Sequence, residues 1–271
     1  MAKIIVEGIL YGKINENDYN VSNLNNNDID YNTYSKHINS YSFENWYKNL
    51  IDAKLVHIND YNKDILKSIA NNRVITGRSL DKDIIDDFSK EFIDDIQSYL
   101  TKYNNSVFIK TSEKSSKNDT TMKPLQNIVE IIDQLTSSKD ILVQSLSYPN
   151  RCKNLIIQPW NNDIQPENEY RVIVENKKIL AISQQKWYTY VGLNTEMVTQ
   201  DANKIYNWYM ENKHRIPYEA VVLDVYVTNE AHLIECNPGY SWGSSGSALF
   251  HWENDKDKLY ANNIYVRYVM N

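Results

Sequence analysis

The chain has 271 residues and a mass of 31.8 kDa, room for one large domain or two small lobes with a sizeable core. A net charge of −6 and a pI near 5.4 argue against non-specific binding to nucleic acid or acidic membranes. No run approaches the roughly 20 apolar residues of a membrane helix, so no membrane partner is expected.

Residues 3–11 predict a strand, and the short apolar stretch that closes at Glu7 does not read as a signal peptide. Residues 15–40, rich in Asn, Asp and Tyr, predict loop. A short helix is expected over 43–56, carrying Phe43, Trp46, Tyr47 and Leu50. Over 81–103 the helical spacing of Ile85, Phe88, Phe92, Ile96 and Leu100 predicts an amphipathic helix. A strand over 106–111 precedes a polar loop, 112–121, and a second helix bearing Leu125, Ile128, Ile132 and Leu135. Short strands follow at 141–143 and 155–157, then β-rich chain with one helix near 199–214. This order makes the class α+β, or mixed α/β.

The two cysteines, Cys152 and Cys236, make no disulfide framework and suit a reducing, cytoplasmic setting. The five histidines show no ligand spacing, so zinc is not expected. Tyr occurs 21 times but Gly only 7, which makes the cluster Gly239, Gly243 and Gly246 conspicuous. Glycine there permits close approach of backbone to a ligand; an ordinary flexible loop is the alternative.

Two hairpins carry the chemistry. Residues 221–227 and 232–238 flank a four-residue loop, Thr228–Ala231. Counting out from that loop pairs Val227 with His232 and sets Asp224 opposite Glu235, with Asn237 on the same face. The other face carries Val221, Leu223, Val225, Val227, Ile234 and Cys236 and is the core side. Two acids directly opposite each other are destabilising, and a hard divalent cation with oxygen ligands such as Mg²⁺ is the natural offset. A solvated polar face is the plain alternative. In the second hairpin, 169–175 and 178–184 around Asn176-Lys177, pairing Glu175 with Lys178 sets Glu169 opposite Gln184, with Arg171 on that face. Arg grips phosphate or carboxylate oxygens bidentately.

Lys110 ends the strand Val107-Phe108-Ile109-Lys110-Thr111, either leaving the core or aimed at phosphates. The loop after it, containing Lys117 and Asp119, is polar and lacks the glycines of a P-loop. The strand ending Gln158-Pro159-Trp160 has free backbone groups to offer an adenine edge.

Six segments occur in order: VFIKT, SSKND, ENEYRVIVENKKILAISQ, LDVYV, LIECNPG and SALFHWE. In wording and order they resemble the cell division cycle protein 123 (D123) family, a divergent ATP-grasp group. The resemblance implies an ATP-grasp fold of two α+β lobes with ATP between them. The expected division is an N-terminal α/β region at 1–75, an N-lobe at 76–157 and a C-lobe with the metal-binding hairpin at 158–271. It also implies that Lys110 contacts the ATP phosphates, that Arg171 faces them, and that Lys117 and Asp119 close over them. Gln158 to Trp160 would meet adenine, Glu169 and Gln184 would lie at the nucleotide, and Asp224, Glu235 and Asn237 would hold Mg²⁺. The implied function is an ATP-binding assembly chaperone of eukaryotic translation initiation factor 2, with its gamma subunit as partner. The alternative is an ATP-dependent ligase acting on an RNA end or on a carboxylate and an amine. The glycine-rich stretch after Pro238 departs from the family pattern.

Overall fold

The computed structural model describes residues 3–14, 31–48, 50–77, 80, 82–112, 115, 122–138, 141, 142, 146, 151–239, 248–251 and 253–271. The chain divides into two compact units, Met1–Tyr41 with Asn162–Asn271, and Ser42–Asn161. The first 75 residues are therefore shared between the two.

The Ser42–Asn161 unit holds a three-stranded antiparallel sheet in the order β2-β4-β3, with β2 Lys54–His57, β3 Val107–Thr111 and β4 Asn154–Pro159. Three helices accompany it: α2 Asp60–Thr76, α3 Lys90–Lys102 and α4 Ile128–Ser137. Their apolar stripes close one core around Leu66, Ile96, Leu100, Ile109, Ile132, Leu135 and Ile157. Helix α2 has no counterpart in the sequence reading. Its start is fixed by Asn59, whose side chain accepts from the Asn62 N–H, and its end by Gly77 in the left-handed conformation.

Five local expectations are corrected. Among the described residues of 43–56 there is one 3₁₀ turn, Phe43–Asn45, before the chain enters β2. The helix expected over 81–103 is a 3₁₀ segment, Lys82–Asp87, followed by α3, which Ser89 precedes. Leu125 pairs with Val107 as an isolated bridge and lies outside α4. Ile141 and Leu142 are helical, not strand. Of the loop expected over 15–40, residues 15–30 lie outside the described residues, and the rest is a helix, α1 Tyr31–Ser40.

The other unit is a six-stranded sheet in the order β1-β9-β6-β5-β7-β8. Its strands are β1 Ile4–Leu10, β5 Glu169–Glu175, β6 Lys178–Gln184, β7 Val221–Val227, β8 Ala231–Pro238 and β9 Ile264–Met270. Strand β9 runs parallel to β1 and β6; the β6-β5-β7-β8 part is antiparallel. Helix α5, Thr195–Asn212, packs against the apolar face, burying Val198, Ala202, Ile205 and Tyr209. The hydroxyl of Tyr170 donates to Asp201 Oδ2 on that helix at 2.8 Å. The short helix α6, Lys256–Leu259, belongs to the opposite face, where Leu259 joins Ile173, Ala181, Val222, Ala248 and Phe250. The expected α+β class is what the chain adopts.

Candidate functional site

Direct cross-strand partners share a face of a sheet. Following the pairing through all six strands gives one row: Glu7 opposite Arg267, Arg267 opposite Ser183, Ser183 opposite Arg171, Arg171 opposite Asp224, and Asp224 opposite Glu235. Each strand contributes one polar residue at the same level. Such a row is costly to bury unless its charges are paired, and ion pairs are visible for Glu7, Arg267, Arg171 and Asp224.

At its centre Arg171 and Asp224 are each 7% exposed. The guanidinium grips the carboxylate with two parallel bonds, Nε to Oδ1 at 2.8 Å and a terminal nitrogen to Oδ2 at 3.0 Å. Asn237 donates through Nδ2 to Asp224 Oδ2 at 3.1 Å. The Asp224–Glu235 juxtaposition read from the sequence is present. The cation that offsets Asp224 here is Arg171, so the repulsion argument does not by itself require a metal.

Among the described residues no group of three or more His, Cys, Asp and Glu side chains gathers to ligate a metal. Two carboxylates and an amide do share one face: Asp224, Glu235 and Asn237. This all-oxygen set fits a hard cation such as Mg²⁺, which is ordinarily held by one or two carboxylates together with substrate phosphates.

Each hairpin follows the expected register on one side of a bulge and departs from it by one residue on the other. The β7–β8 loop is one residue shorter than expected, since Val227 pairs with Ala231 and not with His232. A bulge after Asp224 accommodates the extra residue, Ile234, and restores Asp224 opposite Glu235. Leu233 consequently takes the core position expected for Ile234. In β5–β6 the turn is as expected, Glu175 paired with Lys178, and Asn176 and Lys177 both have positive φ, the geometry of a type I′ turn. A bulge beyond Ile173 then shifts the pairing, so Gln184 stands opposite Tyr170 and not Glu169. Gln184 thereby faces away from Arg171 and is fully buried. Its Oε1 accepts from the Val269 N–H, while Nε2 donates to the Lys186 and Thr189 carbonyls. Glu169 instead holds the end of the hairpin, its carbonyl accepting from the Gln185 N–H.

In the other unit Lys110 is 4% exposed and lies in β3 opposite Ile156. Its Nζ sits 4.5 Å from the centroid of the Phe43 ring and 5.7 Å from that of Trp46. Gln158 and Pro159 pair with Phe108 and Val107 on one side. On the other side β2 ends at Lys54, opposite Ile157, so that edge has no strand partner among the described residues. The Trp160 N–H is already committed, donating to the Ser106 carbonyl at 2.9 Å. Lys117 and Asp119 lie outside the described residues, as do Gly243 and Gly246. Gly239 is described, and the close approach it permits is to the protein itself: a Cβ there would lie 3.0 Å from the Ala220 Cβ.

Sequence reasoning missed the other end of the polar row. Arg267 bonds bidentately to Asp255 at 2.8 and 2.7 Å and to Glu7 Oε2 at 3.0 Å, and Lys258 bonds both Glu7 oxygens. Burial pushes the Glu7 and Asp255 carboxyls up, but these bonds and charges outweigh it and hold both below the usual range. The Arg267 guanidinium is itself raised: burial lowers it, and its bonds to Asp255 and Glu7 prevail. The available signal was a lone charge inside an apolar strand, Glu7 in IIVEGIL and Arg267 in IYVRYVM. The Phe43 and Trp46 rings beside Lys110 were expected only as apolar residues of a short helix.

A family model described as D123 matches residues 75–271. The structure of C-terminally truncated Cdc123 from Schizosaccharomyces pombe superposes with a TM-score of 0.65 at 17% identity, covering 87% of this chain and 98% of that one. A second structure of Cdc123 from Schizosaccharomyces pombe gives 0.62 at 16% identity, with the same coverage. These likenesses establish a shared fold. No match was found among the curated proteins compared.

Proposed function

The chain belongs to the D123 family, and we propose that it is an ATP-grasp protein that binds Mg-ATP. The observation that carries this reading is the polar row, in which Arg171, Asp224 and Glu235 stand on three adjacent strands with Asn237 bonded to Asp224. A buried bidentate ion pair beside a second carboxylate and an amide is more than a solvated sheet face needs.

In this reading Asp224, Glu235 and Asn237 hold Mg²⁺, which neutralises phosphate charge. Arg171 presents its guanidinium to phosphate oxygens, and Lys110 adds a point charge on them. Backbone groups of Gln158 and Pro159 take the adenine edge, and Glu169 lies near the nucleotide. Lys117 and Asp119 close the polar loop over the phosphates. Gln184 is left out, since its amide is bonded on the opposite face. Bound nucleotide organises a surface for the gamma subunit of eukaryotic translation initiation factor 2, whose assembly the chain assists.

Calorimetric titration of the full chain with Mg-ATP, Mg-ADP and AMP tests the nucleotide claim. Saturable binding of Mg-ATP that needs the metal and is lost in Asp224→Ala is expected. No binding, or equal binding by that variant, would overturn it. Capture of purified gamma subunit, stronger with Mg-ATP than without, is expected next; no capture in either state rejects the chaperone role. Release of ADP or AMP with an acceptor panel would transfer the site to ligase chemistry.

A further inference from the structure

The two rings that face the Lys110 ammonium come from a segment before the stretch matched by the D123 model, which begins at residue 75. Phe43, Glu44 and Asn45 make one 3₁₀ turn, and Trp46 follows it. Phe43 is 1% exposed and Trp46 3% exposed, and their rings meet edge to face at 4.9 Å. Tyr47 stacks on Phe43, also at 4.9 Å.

The turn is fastened to the end of the lysine's own strand, β3, and to the neighbouring strand, β4. The Phe43 N–H donates to the Ser112 carbonyl at 3.2 Å, two residues beyond Lys110. The Glu44 carboxylate accepts from the Ser112 hydroxyl, and its Oε1 also accepts from Asn154 Nδ2, at the start of β4, at 2.6 Å. The rings are thus tied to the strand that carries the ammonium they touch.

We propose that Phe43 and Trp46 form an aromatic seat that positions the Lys110 ammonium for contact with nucleotide phosphates, with Glu44 anchoring the seat to β3 and β4. The inference rests on the Mg-ATP reading of Lys110 given above. Two physical terms support it. A ring face attracts an ammonium, and more strongly when both are out of water. A lysine stem held in one geometry before the ligand arrives loses less freedom on binding. Phe43 and Trp46 are therefore positioning residues, acting through Lys110.

Two measurements on the full chain test it. In protein carrying ¹³Cε-lysine, the Lys110 signal, identified by its loss in Lys110→Arg, should lie upfield of the exposed lysines through the ring currents. It should move back toward them in Phe43→Leu and Trp46→Leu. In calorimetry Lys110→Met, Phe43→Leu and Trp46→Leu should each weaken Mg-ATP by about tenfold, or about 1.4 kcal/mol. Adenosine binding should be unchanged. Trp46→Phe, which keeps a ring, should retain most of the affinity. Trp46→Leu combined with Lys110→Met should bind no worse than Lys110→Met alone.

An unshifted lysine signal would overturn the seat. So would full Mg-ATP affinity in both leucine variants while Lys110→Met is weakened, or an equal loss for adenosine, which marks simple disruption of the fold. A silent Lys110→Met beside a shifted lysine signal would refute the phosphate role of Lys110 and with it the function of the seat, leaving the ring contact as packing.

Discussion

Removing the Asp224 carboxylate tests the energetic centre of the polar row. Arg171 and Asp224 are each 7% exposed and joined by bonds of 2.8 and 3.0 Å. In Asp224→Ala the guanidinium stays buried without its carboxylate, a loss of about 3–5 kcal/mol for breaking one side of a buried pair. Arg171→Met strands the carboxylate and should cost a similar amount. Replacing both by apolar residues, Arg171→Met with Asp224→Leu, removes the two charges together, and such exchanges are often near neutral. Urea unfolding followed by circular dichroism should therefore place the double variant nearer wild type than either single one. Mg-ATP titration of the same double variant should show no binding, which separates the structural from the functional contribution. Single variants within about 1 kcal/mol of wild type, or a double variant carrying the full sum of the single losses, would refute the reasoning.

Three further outcomes follow from other parts of the molecule. Glu7 and Asp255 are held below their unfolded acidities, so the stability they add is full above about pH 4.5 and drains as pH falls through their folded values; thermal melts from pH 6 to 3 should fall less steeply in Glu7→Gln. Gly239→Ala would press a Cβ to 3.0 Å from the Ala220 Cβ; a melting temperature lowered by that change should recover in the Gly239→Ala, Ala220→Gly pair, whereas no recovery would show that the contact is not the cause. Asn59→Ala removes the cap that accepts from the Asn62 N–H at 2.9 Å, and chemical denaturation should register a loss of about 1 kcal/mol.

Strongly periodic or sharply alternating segments were legible in the sequence. The stripe of Phe92, Ile96 and Leu100 gave α3, and the alternation in VVLDVYV gave β7 with Asp224 isolated on the polar face. Helix α2 was not legible because its buried side chains include Asn62 and Lys63. Asn62 trades bonds with the Ser89 side chain and backbone, and Lys63 Nζ donates to the Arg151 carbonyl. These partners lie 27 and 88 residues away, so the local pattern reads as polar while the packed helix is satisfied.

The same limit governed the site, and the two bulges show how. Counting residues outward from a turn assumes an unbroken ladder, and each bulge inserts one residue into a single strand. In β7–β8 the bulge at Ile234 cancels the loop that is one residue shorter than expected, so Asp224 still meets Glu235. In β5–β6 the turn holds and nothing cancels the bulge, so Gln184 turns to the back of the sheet and anchors β9 through the Val269 N–H. Arg171 escapes that error because its partner is set by β7, which pairs with β5 in unbroken register from Glu169 to Val174. The pairing of Arg171 with Asp224 joins residues 53 apart, across strand β6 and helix α5, and no spacing rule reaches it. Only the order of strands β6-β5-β7-β8 turns separate charged positions into one paired row.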